Sequence, residues 1–370
     1  MSIENNEMWA KSVEQKLIKK LSRTAVSARE KIPYTSINGT YDDQKGKHWT
    51  NGFWPALMLL MYKQTENKVF YETAEYAIEY LDKKLFTYGT DHDLGFLWNI
   101  SAGFDYRLIG NKESRNRFLL AADQLMGRYN CRGEFIRAWN GDKNIGVSII
   151  DCMMNLPLLY RASEEIGDRR YEYVANAHAD KTLKYHVRQD GACYHIVEYN
   201  SENGEFIKSH TGQGYSQTSA WSRGQAWGIY GFALAYRYTK NIEYLNCARR
   251  IADYFTANII HTNYIPLCDF RQPSEVEIYD STAGACAACG MLEISKFLGG
   301  REKSIYIDTA TSILKSLEEN CCDWSEDEDA ILLKGTERYT DNIHIPIIYG
   351  DYFFAEGIYR LSGYDSDVLW

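Results

Sequence analysis

Proline is scarce in this chain, six among 370 residues, and long apolar runs are missing altogether. Few prolines combined with 45% hydrophobic residues exclude a disordered chain and leave enough apolar material for a substantial core. No stretch approaches the ~20 apolar residues that would span a bilayer. The longest candidates, residues 53–62 and 146–160, are interrupted and amphipathic. The N-terminal 21 residues are polar and charged, without the apolar centre of a secretory leader, which points to a cytoplasmic protein. A disulfide framework is missing too: the nine cysteines are odd in number and scattered. Cys286 and Cys289 form a lone CxxC, with no second pair and no nearby histidine to complete a zinc site, and Cys321–Cys322 is equally solitary. All nine read as structural thiols. Positive charge is also in deficit, 41 Lys and Arg against 50 Asp and Glu for a net −9, which argues against nucleic acid or an anionic membrane as partner.

What the chain does contain is an internal repeat. An apolar helix-like run ends in an aromatic or Leu, a short polar turn follows, and helical periodicity resumes. The joints are Tyr62, Tyr106, Tyr160, Tyr236, Leu292 and, at the end of the chain, Tyr359. Gly, Asn or Asp punctuates each turn, and apolar residues then recur at helical spacing, as in Ala74, Ala77, Ile78, Leu81 or Leu119, Ala122, Leu125, Met126. Each hairpin carries an apolar face that only a neighbouring hairpin can bury, so the copies must stack. Their irregular spacing suits a ring with loops grown at one end better than an open solenoid of identical units, and the residues alone leave a helical-hairpin toroid and a solenoid both open. The expectation is one all-α domain over residues 1–370.

Function is expected in the longest gap between repeats, from near Val187 to near Gly224. It holds a β-hairpin, residues 193–199 and 205–210, turning at Asn203–Gly204. The gap runs into residues 219–232, where Trp221, Trp227, Arg223, Gln225 and three glycines crowd the start of a helix. Two readings compete there. Indole faces with an arginine fork describe a pocket for a flat, anionic, carbohydrate-sized ligand; the same residues also describe a buried aromatic helix with a capped start. In a chain of net charge −9, attraction for an anion must come from a few local cations, which singles out Arg223.

Two carboxylates stand out. Asp151 lies in residues 146–160, where every near neighbour is apolar. Desolvation there pushes a carboxyl pKa upward, as a general acid near neutral pH requires; the competing role is a helix N-cap. Asp93, beside His92, sits where a loop meets a helix, and capping competes equally. His195, on the hairpin, is a third candidate, although a lone histidine is more often structural. Asp42, Asp43 and the acidic run Glu326–Asp329 read as solvated surface.

With these residues in view, the chain resembles a known family. HWTNGFW (48–54), DHDLGF (91–96), IIDCMMNLPLL (149–159), CYH (193–195), GQG (212–214), WSRGQAWGIYGFAL (221–234), DSTAGACAACGMLEI (280–294) and YGDYFFAEGIYRL (349–361) resemble glycoside hydrolase family 88, the unsaturated glucuronyl hydrolases, in the same order from about Trp49 to Arg360. The resemblance implies an (α/α)6 barrel. It also implies Asp151 as acid/base, Asp93 as a second essential aspartate, and His195 and Gln213 as site residues. Arg223 and Trp227 are implied to bind the uronate, with Trp49, Trp139, Trp221 and His92 lining the pocket. The implied partner is a small-molecule unsaturated oligosaccharide, with no metal or cofactor. The implied reaction is hydration of the C4=C5 enol ether of a 4,5-unsaturated uronate, not direct attack on the anomeric bond, so the usual carboxylate-spacing rule does not apply. Asn51 departs from the aspartate common at its position. Residues 342–348 (NIHIPII) lack the Ser and Lys that some members carry there in connection with sulfated substrates. Rival readings are a pectin-directed unsaturated rhamnogalacturonyl hydrolase, a sugar 2-epimerase, and a non-catalytic uronate-binding protein.

Overall fold

Four of the helical hairpins close through one two-residue device. A helix ends on a residue in the left-handed region, whose N–H bonds back to the carbonyl four residues earlier; the next residue is an Asn or Asp whose side chain accepts from the new helix. Glu66–Asn67, Gly110–Asn111, Gly167–Asp168 and Lys240–Asn241 all do this. The polar punctuation of the sequence is therefore a repeated cap.

The computed structural model describes residues 3–46 and 48–370. The hairpins are α2 and α3 (Phe53–Thr65, Lys68–Leu85), α4 and α5 (Ala102–Ile109, Lys112–Met126), α6 and α7 (Leu156–Ile166, Arg169–Tyr185), α8 and α9 (Ser222–Thr239, Ile242–Ile259), and α10 and α11 (Ser281–Ser295, Gly300–Asn320). The sixth pair is not consecutive: α12 (Ile348–Leu361) packs on α1 (Ile3–Ser27), the polar segment that carried no repeat signature. The outer partner of the copy at Tyr359 thus stands at the other end of the chain. Helix α12 also packs on both α10 and α2, and α2 packs on α4, so the ring closes as an (α/α)6 barrel.

Burial separates the two layers. Inner helices α8 and α10 bury almost every residue, whereas outer helices bury one stripe, such as Phe70, Ala74, Ala77, Ile78, Leu81 and Leu85 of α3. On α5 the stripe falls on Phe118, Ala121, Ala122 and Leu125; Leu119 and Met126, expected in it, are only half-buried at its edge. One apolar cluster runs from Ala10 to Trp370. Trp370 is fully buried at the C-terminal ends of the inner helices, where it stacks on Phe353 with centroids 6.1 Å apart and Nε1 donates to Glu356 Oε2 at 2.9 Å. Arg237 and Arg360 pair there with the buried Glu293. That end is plugged, and the open end is the one where the inner helices start.

The expected hairpin forms, Ile196–Tyr199 against Phe206–His210, and is extended by Val147–Ile149, which pairs antiparallel with Ile196–Tyr199. The sheet thereby ties the segment entering Asp151 to the one carrying His195. Among the described residues no helix is long and apolar enough to cross a membrane. The cysteines are all free thiols; seven are buried, Cys322 is half-buried and packs against the core, and Cys131 is exposed, so that one is not a core residue. The acidic residues read as solvated surface are partly loop staples: Asp42 accepts from the Tyr34 and Thr35 N–H groups, and Asp329, 7% exposed, accepts from Tyr41 N.

Candidate active site

Three chain segments meet backbone on backbone at the open end of the barrel, and two motif glycines permit it. A Cβ on Gly52 would lie 2.1 Å from the Phe96 carbonyl oxygen, and one on Gly95 would lie 2.6 Å from Asn155 Cα. Asn155 Oδ1 accepts from Phe96 N at 2.9 Å, locking the second contact. The short helix Trp49–Gly52, the π-helical turn Gly95–Asn99 and the 3₁₀ turn Ile150–Met154 are thus clamped together, each just ahead of an inner helix. Arg223 lies in the first turn of α8, Asp280 caps α10, and Tyr349 opens α12. Helix N-termini carry partial positive charge, so their convergence favours an anionic ligand even in an acidic protein.

Asp151 is 9% exposed, and its Oδ1 is buried without a hydrogen bond from the chain. Burial, reinforced by the negative charge of Asp93, pushes its pKa up to about 7. Arg223 pulls the other way, as does the Trp227 indole N–H, which lies close without reaching hydrogen-bond geometry. His195 Nε2 stands 3.6 Å from Asp151 Oδ1. Its Nδ1 accepts the Gly212 N–H at 3.1 Å, which fixes the tautomer with the proton on Nε2, facing the carboxyl. Burial first, then Arg223, holds the His195 pKa well below its ordinary value, so the ring is a neutral donor. Asp93 is likewise raised to about 7, by burial and then by Asp91. His92 Nε2 is 3.5 Å from Asp93 Oδ1, and burial lowers the His92 pKa to about 3, so this contact joins a carboxyl to a neutral imidazole. Neither carboxyl acts as a helix cap: the turn after Asp93 is entered through Leu94, Asp151 lies inside the turn entered through Ile149, and the helix after that is entered through Asn155.

Arg223 differs from the isolated cation that the sequence suggested. Nη1 donates to Asp280 Oδ2 at 2.7 Å and to the Thr336 carbonyl at 2.6 Å, and Nη2 donates to the Glu337 carbonyl at 2.7 Å. A buried arginine needs such a counter-charge, and Asp280, fully buried, supplies it. The guanidinium lies over the Trp221 ring at 4.5 Å and the Tyr349 ring at 5.5 Å. Trp221 packs on His195 at 4.3 Å, Tyr349 stacks on Trp49 at 5.3 Å, Trp49 meets Phe96 at 5.3 Å, and Phe96 meets Trp227 at 5.2 Å. These rings and the Asp151–His195 pair form one continuous wall.

Of the residues singled out by sequence, Asp151, His195, Trp221, Arg223, Trp227 and Trp49 are therefore brought together. Gln213 joins from the loop beside Gly212, donating through Nε2 to the Glu337 carbonyl at 3.1 Å. Asp93 and His92 approach from the neighbouring segment, within electrostatic reach of Asp151. Trp139 packs on Ala138 and on Val147, Ile149 and Ile196, the strand residues that lead into Asp151 and follow His195. Sequence reasoning missed Asp280, Tyr349 and Phe96, and the Thr336–Glu337 carbonyls that anchor Arg223. Asp280 had a signal: an aspartate opening a wholly apolar helix needs a partner for its charge. Among the described residues no group of three His, Cys, Asp or Glu is disposed to hold a metal ion.

Comparison with known proteins adds the following. The model of Glycosyl Hydrolase Family 88 matches residues 17–262. An unsaturated glucuronyl hydrolase of Bacillus sp. (strain GL1) is 37% identical over 325 residues, 85% of this chain and 86% of that protein. An unsaturated chondroitin disaccharide hydrolase of Streptococcus pneumoniae is 32% identical over 96% of this chain and 92% of its own length. The crystal structure of an unsaturated glucuronyl hydrolase from Streptococcus agalactiae superposes with a TM-score of 0.92 at 29% identity, covering all of this chain and 98% of that one.

Proposed function

The chain belongs to glycosyl hydrolase family 88, and on that premise we propose that it releases the 4,5-unsaturated uronic acid from the non-reducing end of lyase-generated, glycosaminoglycan-type disaccharides. Residues 1–370 act as one catalytic domain, in the cytoplasm, on a small-molecule saccharide. Relatives carry the names unsaturated glucuronyl hydrolase and unsaturated chondroitin disaccharide hydrolase, and a Streptococcus agalactiae structure holds dGlcA-GalNAc6S. The single observation that carries the reading is the Asp151 carboxyl: buried, unpaired at Oδ1, with a pKa near 7 and a neutral His195 Nε2–H beside it.

The chemistry follows from that poise. A carboxyl with a pKa near the working pH is both protonated often enough to donate and basic enough to accept. Asp151 gives its proton to C4 of the enol ether, and an oxocarbenium ion forms across C5 and the ring oxygen. Water adds at C5 and returns a proton to Asp151. The hemiketal opens and expels the neighbouring sugar, leaving a 4-deoxy-5-keto-uronate. The helix N-termini and Arg223 oppose the substrate carboxylate, while Trp49, Trp221 and Trp227 offer ring faces to the sugar. Asp93 and His195 orient substrate and water and balance charge; Gln213, His92 and Trp139 complete the lining.

Isotopes test the sequence of steps. In deuterium oxide the product carries one deuterium at C4, and in ¹⁸O-water the label enters at C5. Label at C1 with no deuterium at C4 would make the enzyme an ordinary glycosidase and refute the assignment.

A further inference from the structure

Outside the site just described, a cavity of about 700 Å³ opens between residues 85–90 and 137–145. That volume lies within the range of small-ligand sites, about 300–1,000 Å³. Its rim carries Phe86, 74% exposed, and Tyr88, whose ring is wholly exposed. Exposed rings on a concave surface mark a binding face rather than core overflow. Its floor carries two cations. Arg128 donates to the carbonyls of Arg137 at 2.9 Å and Ala138 at 3.1 Å, and to that of Thr90. Arg137 donates through Nε and Nη2 to the carbonyls of Trp139 and Gly141, at 2.7 and 2.6 Å. Among the described residues neither guanidinium pairs with a carboxylate, and Arg137 Nη1 donates to no protein group. Asp91, the acidic side chain facing Arg128, accepts from Asn140 N at 3.2 Å. In a chain of net charge −9, two arginines that form no carboxylate salt bridge, set under exposed rings, are out of keeping with their surroundings.

From this juxtaposition we infer that the cavity is an accessory binding site for an acidic oligosaccharide, with Phe86 and Tyr88 stacking on sugar faces and Arg137 holding a carboxylate. The ligand class rests on the proposed function; the binding itself does not require turnover. The cavity also adjoins the reaction centre through shared backbone. The Ala138 carbonyl accepts both from Arg128 Nη2 and, at 3.1 Å, from the His92 N–H. Residues 85–90 lead directly into Asp93. A longer acidic saccharide held here is thereby kept next to the loops that build the site.

The probe is a saturated hyaluronan hexasaccharide, which has no C4=C5 bond and cannot react, titrated calorimetrically into the full-length protein. Binding is expected in the wild type, weakening with added salt. Tyr88→Ala or Arg137→Met should lower the affinity about tenfold. Asp151→Asn should bind as wild type does, and kcat/KM of Tyr88→Ala on an unsaturated disaccharide should stay unchanged. No heat at millimolar probe, or equal affinity for wild type and Tyr88→Ala, overturns the inference while leaving the enzymatic reading intact. Loss of binding in Asp151→Asn places the probe in the reaction centre and also overturns it. Self-association that Tyr88→Ala abolishes, without saccharide binding, would assign the patch to a second copy of the chain instead.

Discussion

Replacing Asp151 with Asn should make the folded protein more stable at neutral and alkaline pH, although the group belongs to the proposed reaction centre. Its carboxyl ionises near 3.8 when exposed and near 7 in the fold. Between those values the unfolded chain has lost the proton and the folded chain keeps it. Stability therefore falls as pH rises through that window and levels off above it. At 1.36 kcal/mol per pH unit the full penalty is about 4 kcal/mol, and relaxation around a partly wetted group brings it to about 2–4 kcal/mol. Asn keeps the shape and carries no charge. Urea denaturation of both proteins should give equal free energies near about pH 4 and a gap widening to about 2–4 kcal/mol in favour of Asp151→Asn by about pH 8. A gap that does not change with pH, or a variant less stable than wild type at pH 8, would show that Asp151 is not a desolvated acid.

Four more outcomes follow from the same geometry. The kcat/KM on an unsaturated disaccharide should hold level approaching pH 7 from below and fall about tenfold per pH unit above it, as Asp151 loses its proton; Asp93→Asn, by removing a like charge, should shift the Asp151 carboxyl-carbon NMR titration downward. Asp280→Ala should cost about 3–5 kcal/mol in chemical denaturation, because it strands the buried Arg223 charge, whereas double replacement Arg223→Met with Asp280→Leu should recover much of the loss without recovering activity. Gly95→Ala should destabilise by about 1–3 kcal/mol or more and cut kcat beyond what the loss of folded protein explains, since its Cβ would push the Asp93 segment off Asn155.

The barrel was legible because its turns are written in local chemistry. A residue at the left-handed end of one helix and an Asx cap on the next leave the same mark at Asn67, Asn111, Asp168 and Asn241. The sixth outer helix was not legible: α1 is amphipathic but polar, and only the gap beside α12 shows where it belongs. The chemistry of Asp151 could be read from its apolar neighbours in sequence, since the same residues surround it in space. The state of Arg223 could not, because Asp280 and the Thr336 and Glu337 carbonyls come from segments 57 or more residues away. Loop residues show the same limit. Asp42 and Asp329 look like surface charge until the backbone N–H groups they accept from are brought to them by the fold.

The central claim is that one desolvated carboxyl supplies the proton for C4. Its most direct test follows the ultraviolet absorbance of the C4=C5 bond in lyase-generated disaccharides, comparing wild type with Asp151→Asn under saturating substrate. Bleaching by wild type and a rate at least about a hundredfold lower in the folded variant is the expected result. A variant that bleaches the substrate at close to the wild-type rate would contradict the account.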